Sequence, residues 1–206
     1  MGQTGSPIIT WENPMKASLL AAILCLALPA AAQGAPKPKV QIDTSYGPFV
    51  VELEPELAPK TVANFLRYVQ EGFYTDTIFH RVIQGFMVQG GGLLKDLSEK
   101  PTHEPVFNEA RSTFAAGLKN TRGAVAMART DAPHSATAQF FINTVDNASL
   151  DPKGETDPGY GYCVFGRVIS GMEAVDKIER VHTVWFHGMP NVPEYPVRIK
   201  SAQLMP

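Results

Sequence analysis

The side chains that could do chemistry in this sequence are few, and their types exclude most reaction classes. There is no GxSxG, no HExxH, no glycine loop able to cradle phosphates, and no pair of Cys or His at metal-binding spacing. His80, His103, His134, His182 and His187 are scattered without a repeated short interval, so neither a metal nor a cofactor is expected. Whatever the chain catalyses needs no nucleophile. What remains is the stretch Phe79-His80-Arg81-Val82-Ile83-Gln84-Gly85-Phe86-Met87-Val88-Gln89-Gly90-Gly91, in which a single guanidinium stands among aromatic, thioether and amide side chains. Two later stretches have a similar character: Gly123-Ala124-Val125-Ala126-Met127-Ala128-Arg129 and Gln139-Phe140-Phe141-Ile142. On residue types alone two readings stay open, since an Arg on a strand is commonly a solvated charge and clustered aromatics are commonly core.

Spacing narrows the choice. Met87 and Gln89 are two apart, as are Gln139 and Phe141, so on strands each pair projects from one face, while Val88 and Phe140 turn to the core. His80 alternates with Arg81 and reads as a hydrogen-bonded wall position.

The elements that must carry these residues are mostly strands. Alternating or β-rich apolar runs occur at Val40 to Ser45, Phe49 to Leu53, Ile78 to Ile83, Phe86 to Gly90, Gly123 to Arg129, Gln139 to Asn143, Tyr162 to Ile169 and Val197 to Leu204. Each is bounded by Gly, Pro, Asn or Asp. Within Lys60 to Glu71, Val62, Phe65, Leu66 and Val69 recur at helical spacing, with Pro59 at the entry and Gly72 past the end. A second helix, Met172 to Glu179, turns Met172, Val175 and Ile178 to one side. The expected class is all-β: a closed eight-stranded antiparallel barrel, its interior filled by side chains and its ends capped by two helices. With 206 residues and no visible repeat, one domain spanning 40–206 is expected.

The three quoted stretches resemble the cyclophilin family of peptidyl-prolyl cis/trans isomerases, and FHRVIQGFMVQGG matches that family's most specific signature almost throughout. The similarity runs from about Val40 to Pro206 and includes Val164-Phe165-Gly166-Arg167-Val168. Asn120 to Gly123 (NTRG) and Met127 to Thr130 (MART) look most like exported bacterial members. The resemblance implies that Arg81 is the catalytic group and that Phe86, Met87 and Phe141 line a proline pocket. It further implies that Gln89, Ala128 and Gln139 contact the substrate backbone, with Leu150 and Tyr162 at pocket positions. Arg129, counted with the substrate-binding set, replaces a common Asn; Tyr162 stands where many members carry His, and Ser149 where they carry Trp. Without that indole, weak cyclosporin binding is expected. Proline-containing, unfolded or flexible polypeptides are the implied partners. The alternative is a proline-segment-binding chaperone or interaction module with incidental isomerase activity.

The N-terminus points to export. From Met15 the chain reads a basic Lys16, an apolar run from Ala17 to Leu28, Pro29, and Ala30-Ala31-Ala32, the layout of a signal peptide over 15–32. The apolar run is too short to span a membrane, which takes roughly 20 residues, so no permanent anchor is expected. Residues 1–14 read as a non-native extension, 33–39 as a short linker, and the destination as the periplasm of a Gram-negative cell or otherwise the medium. Asn147-Ala148-Ser149 satisfies a glycosylation sequon but is assigned no function. With 18 basic and 20 acidic residues and no basic block, nucleic acid is not an expected partner; a monomer is.

Overall fold

The structure, a computed structural model, describes residues 1–3, 5 and 36–206. The expected signal peptide 15–32, most of the expected extension 1–14 and residues 33–35 of the expected linker lie outside the described residues. Among the described residues no helix is long and apolar enough to cross a membrane.

Among the described residues ten strands and three α-helices follow one another as β1 (Lys39–Thr44), β2 (Gly47–Leu53), α1 (Pro59–Gln70), β3 (Ile78–Ile83), β4 (Met87–Gly90), α2 (Ala110–Ala115), β5 (Ala124–Met127), β6 (Phe140–Asn143), β7 (Val164–Ser170), α3 (Met172–Glu179), β8 (Thr183–Phe186), β9 (Met189–Pro193) and β10 (Val197–Leu204). Eight of the strands close a barrel in the order β1-β10-β3-β4-β6-β5-β7-β2, with every pairing antiparallel. Closure leaves these strands no free edge.

The alternation seen in the sequence is the alternation of burial. On β1, Val40, Ile42 and Thr44 point inward, and on β2, Phe49, Val51 and Leu53 do. Helix α1 sends Val62, Phe65 and Val69 into the core. Its first turn has Ala58 at the N-cap, which cannot bond to the free amides. The buried carboxylate of Glu109 does so instead, accepting from Lys60 N (3.2 Å), Thr61 N (2.8 Å) and Thr61 Oγ1 (2.8 Å). Phe65 packs against Tyr74 (5.3 Å between ring centroids), Phe140 (5.8 Å) and Phe165 (5.1 Å), so aromatic rings fill the interior.

Two departures from the expected architecture stand out. A third helix, α2, appears in a stretch too short and polar to show a 3.6-residue period. Its start is fixed locally by Asn108 Oδ1, which accepts from Ala110 N (2.9 Å). Outside the barrel, β8 and β9 form a separate hairpin whose tip is His187-Gly188, both at positive φ (49° and 80°). Glycine at the second position fits such a turn, but His at the first gives no turn signal, so the hairpin was not anticipated. The barrel strands β4, β5 and β6 are also shorter than the apolar runs that contain them.

Candidate active site

The candidate residues stand on the outer wall of the barrel. Strand registers align them in one row that crosses five strands: Arg81 opposite Gln89, Gln89 opposite Phe141, Phe141 opposite Ala126, and Ala126 opposite Val164. Parity works as expected, for Val88, Phe140 and Ile142 join the interior cluster, whereas Met87, Phe141, Ala124, Ala126 and Ala128 form a second apolar cluster with Ile83, Phe86, Leu150 and Tyr162.

That second cluster frames a pocket of about 160 Å³ lined by Arg81, Phe86, Met87, Gln89, Ala128, Arg129, Phe141, Leu150 and Tyr162. Of the residues singled out from the sequence, only Gln139 is not on this wall. It lines an adjoining cleft of about 280 Å³, which shares Gln89, Ala128 and Arg129 with the pocket and is otherwise mostly polar, with Thr102, Ser135 and Thr137. The two hollows are thus one continuous groove with an apolar end and a polar end. Gln139 can lie there because position 92 is glycine: a Cβ at Gly92 would stand 2.8 Å from Gln139 Cδ.

A polar relay runs along the groove. Arg81 Nη1 donates to Gln89 Oε1 (3.3 Å), and Gln89 Nε2 donates to Gln139 Oε1 (3.1 Å). This order fixes both amide orientations and leaves the Gln139 amide NH₂ available as a donor. Arg81 is half-buried and has no carboxylate partner among the described residues, so its remaining N–H groups face the pocket uncommitted.

His80 is the hydrogen-bonded position expected only in part. A register shift between Phe79 and Arg81 places it at a bulge, out of the ladder, and its buried Nδ1 has no hydrogen-bond partner. Burial, with a smaller contribution from the Arg81 charge, pushes its pKa down to about 4, opposed by a bond to the Ile78 backbone. The neighbour of Arg81 is therefore a neutral imidazole at physiological pH. Ser149 is exposed in a single turn at Ala148–Leu150, beside the pocket-lining Leu150.

Behind the pocket lies a network that the sequence did not reveal. Asn147 Nδ2 donates to Phe86 O and to Asn143 Oδ1 (both 2.8 Å), Asn143 Nδ2 to Asn120 Oδ1 (3.2 Å), and Asn120 N and Nδ2 to Asp151 Oδ1 (both 2.9 Å). All four side chains are buried. They tie the Phe86 side of the pocket to the Leu150 side, and they occupy the amide of the sequon asparagine. Cys163 is buried nearby, its thiol pushed up to about 11 by desolvation, which keeps it protonated and inert.

The family model described as cyclophilin type peptidyl-prolyl cis-trans isomerase/CLD matches residues 39–204. The chain belongs to this family. Among its relatives, the peptidyl-prolyl cis-trans isomerase B of Escherichia coli K12 is 54% identical over 162 residues, covering 79% of this chain and 96% of that protein. Isomerase cyp18 of Streptomyces antibioticus is 52% identical, covering 81% of this chain and 98% of that protein. Among solved structures, a cyclophilin-type isomerase of Cryptosporidium parvum superposes with a TM-score of 0.63 at 27% identity, covering 82% of this chain and 98% of that one. The same parasite protein in the presence of the dipeptide Ala-Pro gives a TM-score of 0.62 at 27% identity, covering 82% and 99%. The cyclophilin barrel is thus present here over the stretch that the sequence motifs delimit.

Proposed function

We propose that this cyclophilin accelerates cis/trans rotation of Xaa-Pro bonds in exported polypeptides, with Arg81 as the catalytic group. The observation that carries the reading is the pairing of an uncommitted guanidinium with an apolar pocket of prolyl size, joined by the Arg81–Gln89–Gln139 relay. The Ala-Pro dipeptide named with the parasite relative has the chemistry this pocket would accept.

Rotation about a peptide C–N bond breaks amide resonance at a barrier of about 18–20 kcal/mol, and for Xaa-Pro this gives exchange over tens to hundreds of seconds. No covalent bond changes. In the twisted state the prolyl nitrogen regains its lone pair and becomes a hydrogen-bond acceptor. Phe86, Met87 and Phe141 hold the ring, Gln139 donates to the peptide backbone in the polar half of the groove, and Arg81 donates to the twisted nitrogen. The planar amide offers no such acceptor, so the interaction favours the transition state over the ground state. A thousandfold to hundred-thousandfold acceleration needs only about 4–7 kcal/mol of this discrimination.

Exchange spectroscopy on an Ala-Pro peptide with wild type and Arg81→Ala tests the reading. Rapid exchange with wild type and near-spontaneous exchange with the variant is expected; spontaneous exchange with a folded wild type would sink it. Residues 15–32 act, in this proposal, as a cleaved export signal that delivers a monomer to the periplasm or medium, which N-terminal sequencing and sedimentation of the mature protein check. Weak cyclosporin inhibition follows from the exposed Ser149 in place of an indole, and a nanomolar inhibition constant would contradict it.

A further inference from the structure

We infer that Arg129 is a positioning residue for the isomerase reaction: it latches the 151–161 loop to the barrel and clamps the Tyr162 ring against Phe141, setting the prolyl pocket before a peptide enters. The inference rests on the activity proposed above, but its structural half can be measured without it.

The guanidinium of Arg129 is taken up by main-chain carbonyls. Nε donates to Gly161 O (3.0 Å), Nη2 to Asp157 O (2.9 Å), and Nη1 to Thr130 O (2.9 Å) and Asp131 O (3.0 Å). No carboxylate pairs with it among the described residues. One planar group therefore joins two separate loops, and only a fork with several fixed donors can do that; a lysine ammonium, a single point on a flexible stem, cannot span those acceptors.

The loop is anchored at its ends, Asp151 by Asn120 and Gly161 by Asn108, and is tied less firmly between them. Asp151 to Gly161 bonds mainly to itself, through Lys153 N and Gly154 N to Gly159 O and Tyr160 N to Thr156 O. Its middle, Glu155 to Pro158, is exposed. The Arg111–Glu155 ion pair is exposed on both sides and so adds little. Asn108 Nδ2 reaches Gly161 O (3.2 Å) at the loop's end and the Tyr160 ring meets that of His134 (5.2 Å), which leaves the Arg129 bond to Asp157 O as the main-chain tie nearest the tip.

The same guanidinium lies 4.8 Å over the Tyr162 ring, whose edge meets Phe141 at 5.5 Å and 80°. The Tyr162 main chain is fixed by bonds to Leu150 O and from Asn120 Nδ2, but its ring is set by what lies on either side. Phe141, Tyr162 and Arg129 all line the prolyl pocket. Without the latch the ring can swing and the outer wall loosens, while the Arg81–Gln89–Gln139 relay on the barrel stays in place. Binding should suffer more than rotation.

The test uses the mature protein, with Arg129→Met to keep the apolar stem and Arg129→Lys to keep the charge. Peptide affinity and on-enzyme exchange rate are read by NMR with an Ala-Pro peptide, and loop mobility by amide hydrogen exchange over 153–161. The expected result for both variants is peptide affinity weaker by about ten-fold, on-enzyme rotation within about two-fold of wild type, and loop amides exchanging at least about ten-fold faster while barrel amides are unchanged. Unchanged affinity with unchanged loop exchange overturns the proposal, as does a collapse of the on-enzyme rate at normal affinity, which would place Arg129 on the reacting amide. Full recovery in Arg129→Lys also overturns it. Should Arg129→Met not fold, Tyr162→Leu takes its place, with the affinity loss expected and loop exchange unchanged; retained affinity there counts against the clamp. If wild type itself fails to accelerate exchange, the isomerase reading falls, and the loop amides still decide whether the latch exists.

Discussion

Strands β4, β5 and β6 carry two different proteins on their two faces. Inward, Val88, Val125, Met127, Phe140 and Ile142 are almost wholly buried in the interior cluster, where Phe140 meets the Phe65 ring from α1. Outward, on the same strands, Met87, Ala124, Ala126 and Phe141 are also buried, yet what covers them is loop and a half-buried rim of Phe86, Leu150 and Tyr162. An antiparallel sheet usually exposes a polar outer face. Here the outer face is apolar with small alanines beside one phenylalanine, which is how a flat wall becomes a pocket. The inner face fills space; the outer one leaves some.

The sharpest way to break this contrast is to truncate neighbours of opposite parity. Phe140→Ala empties a site touching Phe65, Tyr74 and Phe79, and should cost about 3–5 kcal/mol in urea unfolding. Phe141→Ala should cost clearly less stability but abolish measurable binding of an Ala-Pro peptide. Equal stability losses with binding intact would mean that both faces are core.

His80 sits buried at the β3 bulge, beside Arg81. Its pKa falls from an ordinary value of about 6.5 in the unfolded chain to about 4 in the fold. The unfolded state therefore binds more protons between those values. The stabilisation from keeping His80 neutral is fully present above pH 6.5 and is lost as pH drops toward 4, about 3 kcal/mol in all. Unfolding free energies measured at pH 7 and pH 4.5 should differ by less in His80→Gln than in wild type, and an unaltered difference would show that other groups set the acid limit.

Arg81→Lys tests the outer face alone. The charge is kept, but the fork that bonds Gln89 while reaching into the pocket is lost. A roughly hundred-fold fall in turnover is expected, about 2.7 kcal/mol in barrier, with the melting temperature unchanged. Near-normal turnover would remove Arg81 from the mechanism.

These two faces were legible in the sequence to different depths. The period-two alternation of Val40, Ile42 and Thr44, and the offset of Met87 and Gln89 from Val88, announced both the barrel and the face that carries the candidate residues. What could not be read was whatever depended on residues distant in the chain. Glu109 caps α1 from 48 residues away through its bond to Thr61, and Asn120, Asn143, Asn147 and Asp151 meet behind the pocket from separate turns. Asn and Asp beside turns read as loop formers, and nothing in their spacing says that four will converge in the dark. The β8–β9 hairpin stayed hidden for a local reason, since His187 and Asn191 adopt positive φ that no glycine advertises. Arg129 was visible as a departure from the family pattern, but only the carbonyls around it say what the change does.

The smallest effect belongs to the polar end of the groove. Gln139 accepts from Gln89 and keeps its amide NH₂ free, so in the proposed binding mode it offers one neutral hydrogen bond to a bound peptide and steadies the orientation of Gln89. A neutral hydrogen bond is worth about 0.5–1.5 kcal/mol net. Gln139→Leu should therefore weaken peptide binding by about ten-fold at most, leave stability nearly unchanged because the side chain is only half-buried, and leave the bound peptide's rotation rate close to wild type. The comparison with Arg81→Lys is what gives the measurement its force: affinity falls in one variant and rate in the other if the relay is divided between holding and turning. A rate loss in Gln139→Leu as deep as in Arg81→Lys would mean instead that the guanidinium depends on the whole relay for its aim, with Gln89 free to flip once Gln139 is gone.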